Sequence, residues 1–229
     1  MTQAYEPHTS APAPWTLTGR AFGVVGLKRP RGRLLPRVTV FCAVTYSHAP
    51  VGPYHEVFAL DTPLPLFGVH SEVTHMYVDS PESTYWGRRN WAVPKRLARI
   101  VISTEPGTFD AVLYCPDEHS PAKNLPGFRM LLRRRPGRGR RRHGLRRTGR
   151  RLGIAVRIPR RLVRISQSDS GHRYTTELHG RGRVSIARLE ALRSRAPVMP
   201  ARRVFLPLMG FLVHEFQFVM EKPLKVRVN

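Results

Sequence analysis

The sequence predicts a mainly β protein with few short helices, folded as an antiparallel β barrel or cone. Many short runs of β-branched and aromatic residues lie between Gly and Pro residues, which is typical of strands joined by turns. Helical periodicity is sparse, which favours antiparallel β architectures over α/β ones. The chain has 229 residues and is 41% hydrophobic, which is enough for the core of one large domain.

The strands are predicted from apolar runs, taken in chain order. Residues 38–46 (VTVFCAVTY) are apolar on both faces, which is typical of a strand buried on both sides, and Pro50, Gly52 and Pro53 end that run. Phe211–Met220 and Leu224–Val228 are predicted to form a closing pair. The other predicted strands are Val57–Leu60, Val73–Val78, Phe109–Tyr114, Leu162–Ser166, Tyr174–His179 and Val184–Ala187.

Three short helices are predicted. One begins in the segment Tyr85–Asn90. A second covers Pro94–Ile100, with Pro94 at the first helical position, where a missing N–H costs nothing. A third lies in Ser185–Arg195 and begins after Ala187.

The organisation predicted is a single domain over residues 1–229, with a flexible, proline-containing arm at 1–13 and a disordered Arg-rich insert at 130–155. The net charge is +24, but residues 129–164 hold 16 Arg and no Asp or Glu, so one segment makes two thirds of that charge. Residues 133–153 use only Arg, Pro, Gly, His, Leu and Thr, a composition that cannot build a packed core.

Three interpretations of that insert stay open: a solvated basic loop, a stretch read in the wrong frame of a GC-rich gene, or an arm that binds a polyanion. No aromatic residue is interleaved between residues 129 and 164, so the stacking platform of single-strand binders is missing. Nucleic acid is therefore not an expected partner, despite the charge.

The remaining patterns favour a cytoplasmic protein without cofactor. Cys42 and Cys115 lie in apolar runs and are expected to be small buried hydrophobes in a reducing compartment. No signal-peptide pattern is visible, and the apolar stretch 204–220 is too interrupted to span a bilayer, so no membrane association is expected. The histidines lack metal-ligand spacing and no Gly-rich phosphate loop is present, so neither a metal nor a nucleotide cofactor is predicted.

Three motifs occur in order within residues 51–98: 51–57 (VGPYHEV), 73–79 (VTHMYVD) and 87–98 (GRRNWAVPKRLA). Their order and spacing resemble the acetoacetate decarboxylase family. The Gly-Arg-Arg-Asn-Trp form is more similar to a poorly characterised fungal and bacterial branch than to the clostridial type. Residues 14–20 (PWTLTGR) resemble the N-terminal strand of the same family more weakly.

The resemblance implies a cofactor-independent lyase that decarboxylates a β-keto acid through a lysine imine. It implies Lys95 as the Schiff-base lysine and Glu56 as the residue that handles protons. It also implies a small keto-acid substrate and a homo-oligomer. Four residues are expected to bind substrate, with the first as a clamp for a carboxylate: Arg20, Arg96, Tyr54 and Trp91.

Imine formation needs a neutral amine at Lys95. The predicted helix start at Pro94, the like charge of Arg96 and desolvation by apolar neighbours such as Trp91 would each disfavour the ammonium. Acetoacetate decarboxylase is itself the standing example of a lysine activated in this way.

One departure from the family pattern concerns the strand at 38–46, where Phe41 occupies the position aligned with a second acidic residue. This puts decarboxylation in doubt and leaves three alternatives open: aldolase or dehydratase chemistry on a keto acid, a polyanion-binding protein, and a degenerate family member. Considered without the family, Lys95, Glu56 and Arg20 are ordinary surface residues.

Overall fold

The computed structural model describes residues 5–29, 35–63, 70–114, 126–134, 153–194, 198–199 and 205–228. Within these ranges the chain forms twelve strands and one helix. In chain order they are β1 Trp15–Lys28, β2 Arg37–His48, β3 Tyr54–Pro63, β4 Glu72–Val78, α1 Pro81–Trp91, β5 Lys95–Leu97, β6 Arg99–Glu105, β7 Thr108–Tyr114, β8 Phe128–Arg134, β9 Ile154–Asp169, β10 His172–Ser194, β11 Phe205–Met220 and β12 Leu224–Arg227.

All twelve strands belong to one sheet, in the order β5-β4-β3-β2-β1-β11-β10-β8-β7-β6, with β9 and β12 also paired to β10. The named strands pair antiparallel except β4 and β5, which are parallel. The two ends of the order, β5 and β6, are separated in the chain by Ala98 alone. The sheet is therefore strongly curled, although among the described strands no ladder joins β5 to β6. The mainly β prediction is confirmed.

Two apolar clusters pack on the two faces of the sheet, because side chains alternate along each strand. On β3, Val57 and Ala59 belong to the first cluster. Tyr54 belongs to the second cluster, against which Phe58 also packs. The second cluster contains the aromatic residues Trp15, Tyr46, Tyr54 and Trp91.

The helix α1 has clear sequence reasons for its limits. The Ser80 side chain accepts a hydrogen bond from the Ser83 amide at 3.1 Å, and Pro81 occupies the first helical position. The helix ends at Ala92, whose left-handed φ of 54° lets its N–H bond to the Arg88 carbonyl. The predicted helix at Tyr85–Asn90 is confirmed, but it begins one turn earlier.

Two predicted helices are wrong. Residues 95–97 form β5 because their backbone pairs in parallel with β4, from Met76↔Lys95 to Val78↔Leu97. The segment 185–195 is mostly β10, which pairs with β11 and β8 on its two sides. Tertiary pairing thus overrides the local helical pattern in both places. The predicted closing pair is also wrong, since β11 pairs with β1 and β10, whereas β12 pairs with β10.

The predicted arm and insert are covered only in part. Residues 1–4 and 135–152 lie outside the described residues, as does Cys115. Residues 5–13 run along α1, where Trp86 Nε1 donates to the Thr9 carbonyl at 2.8 Å and Asn90 donates to the Ala11 carbonyl at 2.9 Å. Cys42 is buried, as predicted. The single described helix is too short and too polar to cross a membrane.

Candidate active site

Lys95 is a buried lysine, 5% exposed, at the start of β5. The parallel pairing of β5 with β4 aligns it with Met76. Its side chain runs across Gly87 of α1, where an added Cβ would lie only 2.6 Å from Lys95 Cδ and 2.8 Å from Cε. Glycine at this helix position therefore leaves the space that the lysine stem occupies.

Three oxygen atoms surround the amine of Lys95. Glu56 Oε2 lies 2.9 Å from Nζ, Ser83 Oγ accepts a hydrogen bond at 2.8 Å, and the Tyr54 hydroxyl accepts one at 3.4 Å. An ammonium group has three N–H donors and no acceptor. Each donor of a charged Lys95 thus has one oxygen within reach, although the contact to Tyr54 is long.

Glu56 lies on β3 and is 3% exposed. The Tyr46 hydroxyl donates to its Oε1 at 3.0 Å. Its Oε2 is close to Lys95 Nζ, but the pair is not aligned as a hydrogen bond, and no other group in the described part of the chain bonds that oxygen. A buried carboxylate oxygen held only by an ion pair is costly, and such groups are concentrated at functional sites.

Aromatic rings enclose the pair. Lys95 Nζ lies 5.7 Å from the centre of the Trp15 ring and 5.1 Å from that of Tyr54. Trp91 packs edge-on against Trp15 at 5.0 Å, and its Nε1 donates to the Glu221 carbonyl at 2.8 Å. The rings remove water from around the amine, while their faces attract a cation.

The nearby phenols and thiol keep their protons. Burial raises the pKa of Tyr46 well above its usual value, and the charge of Glu56 adds to the effect. The pKa of Tyr54 is raised by burial first and by Glu56 second. Burial and Glu56 likewise raise the pKa of Cys42. Tyr46 therefore acts as a neutral donor to Glu56, and Tyr54 is a neutral hydroxyl that accepts from Lys95.

The structure brings together Lys95, Glu56 and Tyr54, and it places Trp91 in the layer behind them, against Trp15. This arrangement is consistent with the shared site that the sequence predicts for these four residues. Their chemical roles stay predictions.

The two arginines are not in this cluster. On β1, Gly19 pairs with Tyr46 while Arg20 pairs with Thr45, so the exposed Arg20 lies on the other face of the sheet. Arg96 follows Lys95 in β5 and is exposed, because consecutive strand residues point to opposite faces. The structure therefore does not bring either arginine together with Lys95, and the substrate-binding role of both stays a prediction.

Phe41 also lies away from the site. It is fully buried in the first cluster, with its ring 4.8 Å from that of Phe205 and 5.9 Å from that of Phe128. The β2 residues in the second cluster, on the site's face, are Cys42, Val44 and Tyr46. Phe41 therefore does not face this site, and a second acid at that position would not face it either. The β2 residues that do face the site are not acidic.

Comparison with known proteins gives no match to any family model and no match among curated proteins. Solved structures do match. Acetoacetate decarboxylase from Legionella pneumophila aligns over 99% of this chain and 92% of that chain, at 12% identity and a TM-score of 0.60. An acetoacetate decarboxylase-like enzyme from Sphingomonas wittichii aligns over 95% and 94%, at 12% identity and 0.59. The enduracididine biosynthesis enzyme MppR, complexed with pyruvate, aligns over 94% and 91%, at 10% identity and 0.54.

The chain has the acetoacetate decarboxylase fold. At 10–12% identity the likeness establishes the architecture alone. The reaction has to be argued from the side chains that this chain places on the acetoacetate decarboxylase fold.

Sequence reasoning missed three residues of the site: Ser83, Gly87 and Tyr46. The signal for the first two was the Ser80-Pro81 start of α1, since residues four apart on a helix share a face. A helix predicted to begin at Tyr85 does not include Ser83, so it cannot show that Ser83 and Gly87 lie on one face. Tyr46 could have been found from its strand, because it has the same alternation as the other β2 residues in the second cluster.

A helix N-terminus does lie near the amine, but it belongs to a different helix from the one predicted. The segment after Pro94 is a strand, so it supplies no helix dipole. Ser83, in the first turn of α1, bonds Lys95 Nζ instead.

Metal binding has no visible basis in the described part of the chain, where no group of three or more His, Cys, Asp or Glu side chains is placed to hold an ion.

Proposed function

We propose that the protein is a cofactor-independent Schiff-base lyase that acts on a keto acid, with decarboxylation of a β-keto acid as its leading reaction. The observation that carries the proposal is the buried pair of Lys95 and Glu56, 2.9 Å apart. The pair is enclosed by aromatic rings in an acetoacetate decarboxylase fold. An amine and an acid/base group in contact are what imine chemistry requires.

Glu56 is the proton acceptor that frees the amine. Transfer of a proton from Lys95 Nζ to Glu56 Oε2 turns a buried ion pair into a neutral amine and a neutral acid, and burial favours the neutral state. The amine then adds to the substrate carbonyl and forms the C–N bond. Glu56 returns its proton to the carbonyl oxygen, and a second proton passes to that oxygen from the nitrogen. The oxygen then leaves as water, which yields the iminium with one N–H.

The iminium is an electron sink. In a β-keto acid the bond to the carboxylate breaks, CO2 leaves, and its electron pair forms the enamine. Glu56, once it has taken up a proton from solvent water, gives that proton to the enamine carbon, and hydrolysis of the resulting iminium by water releases the ketone and restores Lys95. Tyr46 keeps Glu56 in position through the bond to Oε1.

Aldol condensation or dehydration on a keto acid is the second candidate reaction. The neighbour MppR has been solved with pyruvate and with the condensation product of pyruvate and imidazole 4-carboxaldehyde. One observation favours this reaction for the present chain. The β2 residues on the site's face are not acidic, and so none of them repels the carboxylate of the substrate.

Borohydride reduction in the presence of acetoacetate or pyruvate tests the imine. We expect one adduct per chain, located on the peptide that contains Lys95. The proposal fails if intact-mass measurement shows no adduct of the keto acid or of the ketone left by its decarboxylation, or if peptide mapping places the adduct on another lysine. Release of CO2 from acetoacetate, measured in the same samples without borohydride, then separates decarboxylation from aldol or dehydration chemistry.

A further inference from the structure

The Ser83 hydroxyl is a component of the site that the mechanism above leaves unused. Ser83 is fully buried in the first turn of α1, and its Oγ lies 2.8 Å from Lys95 Nζ. It is the shortest polar contact of that amine, shorter than those to Glu56 at 2.9 Å and Tyr54 at 3.4 Å.

Imine formation changes what Ser83 can bond. Charged Lys95 has three N–H groups, whereas an iminium nitrogen has one, because two of the protons leave with the carbonyl oxygen as water. The three oxygens around Nζ, which had three N–H donors between them, then have only one. The carboxylate of Glu56 attracts the remaining N–H most strongly, since a charged acceptor makes the stronger hydrogen bond. Ser83 Oγ then loses the N–H that it accepted, and its own O–H, which cannot bond an ammonium, is able to turn toward the group now bound at Nζ.

The position of the Ser83 hydroxyl suits the carboxylate of a keto acid. A substrate held as an iminium has its carbonyl carbon on Nζ and its carboxylate one or two carbons further on, which is within hydrogen-bonding reach of a hydroxyl 2.8 Å from Nζ. Arg20 and Arg96, which were expected to bind that carboxylate, are exposed outside the site. In the described part of the chain, Ser83 is the hydroxyl nearest the reacting nitrogen.

We propose that Ser83 is a catalytic residue that recognises the keto acid, through a hydrogen bond donated to the substrate carboxylate after imine formation. The inference rests on the lysine imine of the proposed function and adds to it the group that distinguishes a keto acid from a simple ketone. Recognition by a neutral hydroxyl replaces the arginine clamp that the sequence predicts.

Replacement of Ser83 does not remove the cap of α1, because Ser80 performs that role with its own side chain. Alanine also favours helix more than serine does. Thr84 offers a matched control in the same turn, since its hydroxyl bonds the Ser80 carbonyl at 3.0 Å and does not bond Lys95. Ser83→Cys is the second variant, similar in size to serine but a weak donor.

The experiment measures borohydride trapping rates for pyruvate and for acetone, which differ by a carboxylate in place of a methyl group. In Ser83→Ala we expect the preference for pyruvate over acetone to fall about 10- to 100-fold, the loss typical of a hydrogen bond to a charged group. Ser83→Cys should show the same direction of change, and Thr84→Ala should keep the wild-type preference. Circular dichroism confirms that each variant is folded.

An unchanged preference in both Ser83 variants overturns the inference and leaves the imine mechanism intact. An equal loss of rate for both substrates overturns it as well, because the hydroxyl then acts only on the lysine. If the wild-type protein forms no adduct with pyruvate, acetoacetate or acetone, the proposed function itself fails, and the role of Ser83 fails with it.

Discussion

Two buried lysine–carboxylate pairs lie on opposite faces of the same sheet. Lys95 meets Glu56 at 2.9 Å among the residues of the second cluster, and Lys28 meets Asp61 at 2.7 Å on the other face. Both carboxylates come from β3, five residues apart, and an odd separation on a strand places them on opposite faces. Each also accepts a hydrogen bond from a hydroxyl, that of Tyr46 for Glu56 and that of Thr39 for Asp61.

The pairs differ in how completely the carboxylate is satisfied. Asp61 accepts aligned hydrogen bonds on both oxygens, each at 2.7 Å. Glu56 has one aligned bond and one oxygen held only by charge. The Lys28 side chain is 18% exposed, whereas that of Lys95 is 6% exposed and also contacts aromatic rings.

This difference separates a structural pair from a reactive one. Both oxygens of Asp61 already accept hydrogen bonds, and its pair with Lys28 serves to hold β1, β2 and β3 together. Oε2 of Glu56 accepts no hydrogen bond from another described group, so a proton that reaches it from Lys95 displaces none. Burial of a lysine beside a carboxylate is therefore a weaker sign of function than an unsatisfied oxygen between them.

The largest expected effect is that of replacing Lys95 by arginine, which keeps the charge but cannot form an imine. The same replacement at Lys28 is the matched control. Lys95→Arg should reduce trapping of keto acids by roughly 1000-fold or more. Lys28→Arg should leave the trapping rate within about twofold, because an arginine can still pair with Asp61. Intact-mass kinetics with borohydride measure both variants. An equal loss of trapping rate in the two variants would mean that the two pairs do not differ in function.

Neutralising each carboxylate should separate activity from stability. Glu56→Gln removes the proton acceptor, and we expect trapping to slow by about 100- to 10,000-fold. Asp61→Asn should keep the trapping rate but lower the free energy of unfolding by about 3 kcal/mol, the low end for a broken buried pair because Lys28 is partly exposed. Urea denaturation and trapping rates test the contrast. The distinction between the two carboxylates is wrong if Asp61→Asn slows trapping as much as Glu56→Gln does.

A methyl group at Gly87 should disturb only the reactive pair. The new Cβ of Gly87→Ala would overlap the flexible stem of Lys95 and displace the amine, which should reduce trapping by about 10- to 100-fold. Exchanging Gly for Ala inside a helix gains about 0.5–1 kcal/mol, so the unfolding free energy should stay near the wild-type value. A loss of stability that parallels the loss of activity would mean that the lysine stem cannot move aside.

The smallest effect is expected at a third, more exposed pair, His55 and Asp79, whose ring nitrogen and carboxylate oxygen lie 2.7 Å apart. Burial acts to raise the pKa of Asp79, but hydrogen bonds from the side chain and backbone of His55 outweigh it and lower that pKa. A carboxylate with a lowered pKa stabilises the fold above its ordinary pKa, and this stabilisation is lost as pH falls through the lowered value.

Asp79→Asn should therefore lower the melting temperature at neutral pH by only a few degrees, corresponding to about 1 kcal/mol or less at such an exposed pair. The difference from wild type should shrink as the pH is lowered from about 5 to about 3. Thermal melts at several pH values, with His55→Gln as the matched control, measure it. If the difference in melting temperature grew as the pH fell, the lowered pKa assigned to Asp79 would be wrong.

Local sequence was a good guide to strands and a poor one to the short helices. The run VTVFCAVTY is apolar enough to form β2 wherever it lies. Residues 95–97 have no such intrinsic preference, so the backbone partners offered by β4 decide their structure. The segment 185–194 is strand for the same reason, being held between β11 and β8.

The motifs, through the family that they resemble, predicted a common site for Lys95, Glu56, Tyr54 and Trp91, and the alternation within strands was available in the sequence to find Tyr46. Only the tertiary structure placed Ser83 and Gly87 against the lysine, moved Arg20 and Arg96 to exposed positions, and left one oxygen of Glu56 without a hydrogen bond. The physical reason is that composition and periodicity determine which segments become strands, whereas the face to which a side chain points depends on strand register. Register is set by partners from distant parts of the chain.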